Sequence, residues 1–201
     1  MIKVILDTSN QYLVVALYKD DKCLGKIQEL GSQRQSENAI PYLQKLLEEN
    51  HIDLLDVNEA IITVGPGSYT GVRVAMTIVK TLSVISSLKV KAISSLKAYA
   101  GYDKCISVID ARSKKVFVCV YENGQALMNE TLMTIDEFKE LRKTYSDYKV
   151  VGQTQVVGED FVEVDLADHL YQLSIHEPIV ENVDILVPRY LKDVEAKKIC
   201  L

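Results

Sequence analysis

The order of short apolar runs along the first half of the chain restricts the fold more than any other feature of the sequence. Three runs rich in Val, Ile, Leu and Tyr stand at the start of the chain, at 3–8, 12–18 and 22–30. Linkers as short as theirs favour antiparallel hairpins. Apolar residues then recur with a helical period over 36–50, and an apolar run at 60–65, a helical segment at 70–87 and a strand at 89–94 follow. The predicted order is β-β-β-α-β-α-β, and its strand–helix–strand part predicts a right-handed parallel crossover.

The segment 104–152 repeats the first five elements of this order, since it also reads β-β-β-α-β. Two such copies predict an α/β, two-lobed, actin-like (ASKHA, ribonuclease-H-like) fold with duplicated units and a reduced second lobe. We expect the first lobe at 1–100, the smaller, degenerate second lobe at 101–187, and a C-terminal tail at 188–201 that packs back on the first lobe. Because proline is tolerated only in the first turn of a helix, Pro41 predicts that the first helix starts near Asn38.

Each copy has an aspartate at the end of its first strand, Asp7 and Asp110. Proteins of this architecture bind a nucleotide between the two copies, with two such aspartates facing the metal and the phosphates. Aspartate also commonly ends a strand or starts a turn. The spacing leaves two hypotheses open. The residues form a weak or vestigial ATP or ADP site, as in an actin-like small-molecule kinase or ATPase that uses magnesium, or they are turn residues only.

The stretch VGPGSYTGVRVA has the glycine content of a phosphate-binding loop. A Walker loop needs a lysine after its second glycine, which is absent here, and Pro66 removes one N–H donor. We therefore predict that the loop turns a strand into a helix. Gly65, Pro66 and Gly67 suit a tight turn, Thr70 can cap the helix, and Gly71 lets the first helical turn pack close to a neighbouring backbone.

Composition limits the function classes that remain. The net charge is −5 and the lysine and arginine clusters are short, so autonomous nucleic-acid binding is not expected. No apolar run approaches the ~18 residues of a membrane helix. The four cysteines form no CxxC pair and predict reduced thiols in a cytoplasmic protein. The three histidines show no HxxxH or HxH spacing, so we predict no metal site and no catalytic residue, and a protease lacks a nucleophile–base pair.

The helix over 72–86 carries two adjacent apolar stripes, which together cover ~200°, whereas a surface helix needs one stripe of about 100°. The first stripe consists of Val74, Ile78, Leu82 and Ile85. The second stripe consists of Val72, Met76, Val79 and Ser83. We expect the first stripe to face the sheet of its own lobe, and the second, with Ile40 and Leu43 of the preceding helix, to form an interface. The alternative is a helix enclosed within its own domain.

Five ordered segments, ILDTSN, SENAIPYLQKLL, GPGSYTGVRVA, VIDARSKKVFV and VPRYLKDVEAKK, resemble the TsaB (YeaZ) family. The resemblance is densest in 1–120 and poor in 150–185. It implies an actin-like fold without the catalytic site of the paralogue TsaD, which binds a metal through an HxxxH motif. Ser95 and Tyr99 stand where those two histidines would fall.

The resemblance also implies a role and partners. It implies a cytoplasmic, non-catalytic subunit of the machinery that makes N6-threonylcarbamoyladenosine (t6A) at position 37 of ANN-decoding tRNAs. Such a subunit binds and stabilises TsaD in a heterodimer, works with the ATPase TsaE, and contacts tRNA only as part of the complex. In the family, the helix after the glycine loop and the preceding helix form the TsaD-binding and self-pairing surface. No cofactor of its own is implied, and both a homodimer and a heterodimer remain open.

Overall fold

The computed structural model describes residues 1–31 and 34–191. Its first sheet contains five strands, β1 (Ile2–Asp7), β2 (Tyr12–Lys19), β3 (Lys22–Leu30), β4 (Glu59–Thr63) and β5 (Lys89–Ile93). Their spatial order is β3-β2-β1-β4-β5. The hairpin strands β1, β2 and β3 pair antiparallel, whereas β4 and β5 join β1 in parallel. This is the predicted combination of hairpins and a parallel crossover.

The second sheet is a reduced copy of the first. Its strands are β6 (Cys105–Asp110), β7 (Lys115–Glu122), β8 (Gln125–Ala126), β9 (Thr131–Thr134) and β10 (Lys149–Gly152). They are ordered β10-β6-β7-β8, and β9 also pairs with β7. As in the first sheet, the first two strands are antiparallel, and the strand after the helix runs parallel to the first. The predicted α/β fold with two duplicated units and a reduced second lobe is confirmed.

Five α-helices complete the described part of the chain: α1 (Gln35–Glu49), α2 (Tyr69–Ile85), α3 (Ser95–Ala100), α4 (Ile135–Thr144) and α5 (Leu166–Ser174). The expected start of α1 near Asn38 is wrong, because the helix starts at Gln35 and contains Pro41. Pro41 withdraws the hydrogen bond to the carbonyl of Glu37, and both residues are exposed, so water can replace the missing donor. Neither α3 nor α5 was predicted.

Helices cover the outer face of each sheet, and further helices lie between the two sheets. An outer core joins the first sheet to α1 and α2, and a second outer core joins the second sheet to α4. A central core joins the two sheets through α3 and α5, with Leu166, Leu170 and Tyr171 of α5 all buried. The two lobes are therefore packed on one shared core.

After α5 the chain returns to the first lobe. Ile179 forms an antiparallel bridge with Lys91 of β5, and the N–H of Val180 donates to the carbonyl of Val90 at 2.8 Å. The return to the first lobe thus starts at Ile179, inside the range 101–187 that was expected to form the second lobe. Of the expected tail at 188–201, Arg189 and Tyr190 contact the first lobe, and residues 192–201 lie outside the described residues.

Candidate functional site

The glycine loop turns β4 into α2 while it packs against the β1–β2 hairpin. The Gly65–Pro66 peptide bond is cis, and Gly65 has a φ of 97°. A Cβ at Gly67 would lie 2.3 Å from the carbonyl oxygen of Ser9, so only glycine allows this approach. The N–H of Ser68 donates to that same carbonyl at 2.7 Å. The loop is a turn, as its composition predicts, and the N–H of Ser68 is directed at the protein itself.

The start of α2 differs from the prediction in its cap and agrees with it in its packing. Ser68, rather than Thr70, is the N-cap, and its hydroxyl accepts from the N–H of Gly71 at 3.1 Å. Thr70 is already helical and is exposed. A Cβ at Gly71 would lie 1.9 Å from the carbonyl oxygen of Thr8, which confirms the close approach to a neighbouring backbone. The Thr8 hydroxyl donates to the carbonyl of Gly71 (2.6 Å) and accepts from the N–H of Ala75 (3.2 Å).

The two apolar stripes of α2 face the opposite way from the prediction, which is therefore wrong. Val72, Met76 and Val79 are 3%, 4% and 0% exposed and belong to the outer core against the first sheet, and Ser83 is half-buried. The stripe expected to face the sheet is instead the outer one: its first three residues are half-buried and Ile85 is 57% exposed.

The contact of Gly71 with Thr8 explains this orientation. Since Gly71 touches the β1–β2 turn, the residues at helical spacing on that side, including Ala75 and Val79, are turned towards the sheet within about 100° of arc. Two small residues on one side of a helix mark its closest approach to a neighbour, and this signal was present in the sequence. Leu43 of α1 is likewise a core residue, at 4% exposure, and not an interface residue.

A shallow groove of about 410 Å³ runs between α1 and the outer face of α2. Its walls include Ile40, Tyr69, Thr70, Val74, Thr77 and Ile78. Ile40 is 56% exposed and Tyr69 is 54% exposed, and the interface role of Ile40 stays a prediction. The guanidinium of Arg73 lies 3.9 Å from the centre of the Tyr69 ring, a cation–π contact that holds this edge of the groove. Sequence reasoning missed Tyr69 and Arg73 because their role depends on contacts with distant residues.

The structure shows both aspartates in equivalent turns. Asp7 is 1% exposed and accepts from the N–H of Ser9 (2.7 Å) and the hydroxyl of Thr63 (2.6 Å). Burial raises the pKa of the Asp7 carboxyl, although these hydrogen bonds act in the opposite direction. Asp110 accepts from the N–H of Arg112 at 2.8 Å. Each carboxylate thus accepts from the N–H two residues further on, as the turn hypothesis predicts. The same turn occurs in both lobes because the unit is duplicated. A nucleotide role for the pair stays a prediction.

The cleft between the lobes encloses about 730 Å³. Its walls come from the two hairpin turns, from the glycine loop and from residues 188–191. Asp110 and Arg112 line it, whereas Asp7 does not. The Nε2 atom of Gln11, which also lines the cleft, is buried without a hydrogen-bond partner.

The positions aligned with the HxxxH motif are core positions here. The hydroxyl of Ser95 is fully buried and lies 2.9 Å from the hydroxyl of Ser9. Tyr99 is 1% exposed within the central core, and burial raises the pKa of its phenol well above the usual value. Within residues 1–31 and 34–191, no three His, Cys, Asp or Glu side chains are grouped so that they could hold a metal ion. No helix in the same ranges is long and apolar enough to span a membrane.

The family model described as TsaD, tRNA N6-adenosine threonylcarbamoyltransferase, matches residues 25–201, which is most of the chain. The chain belongs to this family. Its curated relatives include several TsaB proteins. The Bacillus subtilis TsaB, a tRNA threonylcarbamoyladenosine biosynthesis protein, is 28% identical over 216 residues, covering 96% of this chain and 94% of the relative. The Escherichia coli TsaB is 28% identical over 127 residues, covering 60% of this chain and 54% of the relative.

The structural comparison agrees with the sequence comparison. The YeaZ structure from Pseudomonas aeruginosa superposes with a TM-score of 0.71 at 20% identity, covering 94% of this chain and 99% of that one. A second Pseudomonas aeruginosa structure, with similarity to YeaZ, gives a TM-score of 0.75. The resemblance to the TsaB (YeaZ) family is confirmed, and the family is one of t6A biosynthesis.

Proposed function

We propose that this chain is the non-catalytic subunit of the t6A machinery that docks and stabilises TsaD for threonylcarbamoyl transfer to adenosine 37 of ANN-decoding tRNAs. Its membership of the TsaB (YeaZ) family supports the pathway. The observation that carries the docking role is the apolar groove between α1 and α2, with Ile40 at 56% exposure on its wall.

The groove suits a partner helix better than a small ligand. It is shallow, with Ser36 and Ile40 of α1 on one side and Val74, Thr77 and Ile78 of α2 among the residues on the other. Ile40 (56% exposed) and Tyr69 (54%) add exposed apolar surface to its walls. Contiguous apolar surface of this kind marks protein–protein contacts. We assign TsaD as the occupant, and a second copy of this chain would compete for the same face as a homodimer.

The accessory role follows from the residues at the expected metal positions. A buried serine hydroxyl bonded to Ser9 and a fully buried phenol do not replace two neutral imidazoles as metal ligands. We propose that catalysis resides in TsaD, that the ATPase TsaE acts within the same cytoplasmic complex, and that tRNA is met only through that complex. The net charge of −5 supports the last point, because tRNA binding requires clustered cations.

An actin-like kinase or ATPase is the alternative function. It would require Asp7 to face a magnesium nucleotide in the cleft. Asp7 is buried, and one of its oxygens accepts from both Ser9 and Thr63 at 2.7 and 2.6 Å. Because the Asp7 carboxyl does not line the cleft, the docking role is better supported than a kinase or ATPase activity.

The test is the pair Ile40→Glu and Val84→Glu. Both residues are exposed aliphatic side chains on the two helices, so both variants should fold, but only Ile40 lines the groove. An unpaired carboxylate buried at an interface costs several kcal/mol, so Ile40→Glu should weaken TsaD binding by about 100-fold or more. Val84→Glu should bind almost as the wild type does. Calorimetric titration with TsaD measures both, and equal affinities for the two variants would contradict the groove as the docking site.

A further inference from the structure

The segment Pro188–Leu191, here called the C-terminal strap, lies between the groove and the interlobe cleft. The N–H of Arg189 donates to the carbonyl of Val64, next to the glycine loop, at 2.7 Å. The ring of Tyr190 stacks on Tyr69 with 5.6 Å between ring centres, and its hydroxyl accepts from Nε of Arg73 at 3.0 Å. Tyr69 and Arg73 both line the groove, so the strap holds one edge of it.

The same strap is anchored in the second lobe. A guanidinium nitrogen of Arg189 lies 3.2 Å from Oε2 of Glu130, whose side chain is only 5% exposed. The other carboxylate oxygen of Glu130 accepts from the hydroxyls of Tyr121 (2.9 Å) and Ser94. A carboxylate this buried is costly without its cation, so the Glu130–Arg189 pair resists displacement of the strap. Within the described ranges, the pair links the second lobe to a segment that packs on the first.

Tyr69 gives this connection a direct structural path. Its side chain lines the groove on the outer face of α2 and also the cleft between the lobes. The path is Glu130, Arg189, Tyr190, Tyr69, and each step is an ion pair, a neighbour in the chain or a ring contact.

We propose that the strap couples the docking groove to the second lobe, with Arg189 and Tyr190 as positioning residues for Tyr69 and Arg73. The proposal rests on the docking function proposed above. A partner that binds the groove while the strap holds Tyr69 and Arg73 in place favours the state in which Arg189 is paired with Glu130. Since coupling between two sites is reciprocal, breaking the ion pair in the second lobe weakens docking at a groove that Glu130 does not line.

The experiment uses Glu130→Gln and Arg189→Met in the full chain, with Glu140→Gln as the matched control. Glutamine at 130 keeps an oxygen for Tyr121 and Ser94 and places an uncharged amide NH2 group in front of Arg189. Glu140 forms an exposed ion pair with Lys143 on α4, away from the strap. Two quantities are measured: amide hydrogen exchange over 68–74 in the free protein, and the Kd for TsaD.

We expect faster exchange over 68–74 and an affinity for TsaD about five-fold lower or weaker still in both strap variants, with no change in the control. Arg189→Lys, which keeps the charge, should recover part of both effects, whereas loss of a merely structural contact would not depend on charge. Wild-type exchange and affinity in Glu130→Gln and Arg189→Met would overturn the coupling. If the wild type itself does not bind TsaD, the docking function fails, and unchanged exchange over 68–74 then separately overturns the positioning role of the strap.

Discussion

Replacing Val79 with glutamate should strongly destabilise the protein, whereas the same change at the adjacent Ile78 should destabilise it far less and remove TsaD binding. Val79 is 0% exposed, and losing a buried valine removes about 1.5–3 kcal/mol of hydrophobic stabilisation. A glutamate enclosed there must be protonated at pH 7, and raising its pKa from about 4.3 to the ambient value costs about 4 kcal/mol at about 1.4 kcal/mol per unit. The total of about 5–7 kcal/mol is a large part of the free energy of unfolding of a typical domain.

At Ile78 the balance is different. The side chain is half-buried on the groove wall, so a carboxylate there reaches water and the cost to the free protein is about 1–2 kcal/mol. In the proposed complex with TsaD the same carboxylate would be enclosed by the partner, so TsaD binding should be lost.

Thermal unfolding and TsaD pull-down of each variant measure the two effects. For a chain of this length, 5 kcal/mol corresponds to a Tm lower by about 10–20 °C, whereas Ile78→Glu should lower Tm by about 2–8 °C. Val79→Gln is the control for charge, since its destabilisation should not grow with pH. A wild-type Tm for Val79→Glu, or TsaD binding retained by Ile78→Glu, would refute the assignment of the two faces of α2.

Two further substitutions test the elements around the glycine loop. Gly71→Ala should lower Tm by at least about 5 °C despite the better helix propensity of alanine, because its Cβ would lie 1.9 Å from the backbone oxygen of Thr8; an unchanged Tm would contradict the close contact. Asp7→Asn should raise Tm at pH 7, because asparagine keeps an acceptor for Ser9 and Thr63 without the cost of a buried charge. The raised pKa of Asp7 means that the folded state holds its proton more tightly, so wild-type stability falls as pH rises above 3.8, and the advantage of the variant should shrink towards that pH.

The order of elements was determined by the sequence alone. Periods of 2 and 3.6 residues, short hairpin linkers and a glycine-rich turn are local properties, and they led to β1–β5, α1, α2 and the repeat of the same order over 104–152. The family followed from five ordered motifs. The helices α3 and α5 were missed because they contain only six and nine residues, and so short a segment shows too little of a helical period to be recognised.

The tertiary structure decided which face of α2 is free, although the small residues Gly71 and Ala75 were a sequence signal for its buried side. A helical period specifies the angles between side chains on one helix, but two adjacent apolar stripes satisfy it equally well. The contact between Gly71 and Thr8 chose between them and turned Val79 to the sheet. The contacts of the strap could not be predicted from the sequence either, since Glu130 and Arg189 come together only after both lobes have packed. Contacts between residues distant in the chain are made by the packing of whole elements, and no local pattern records them.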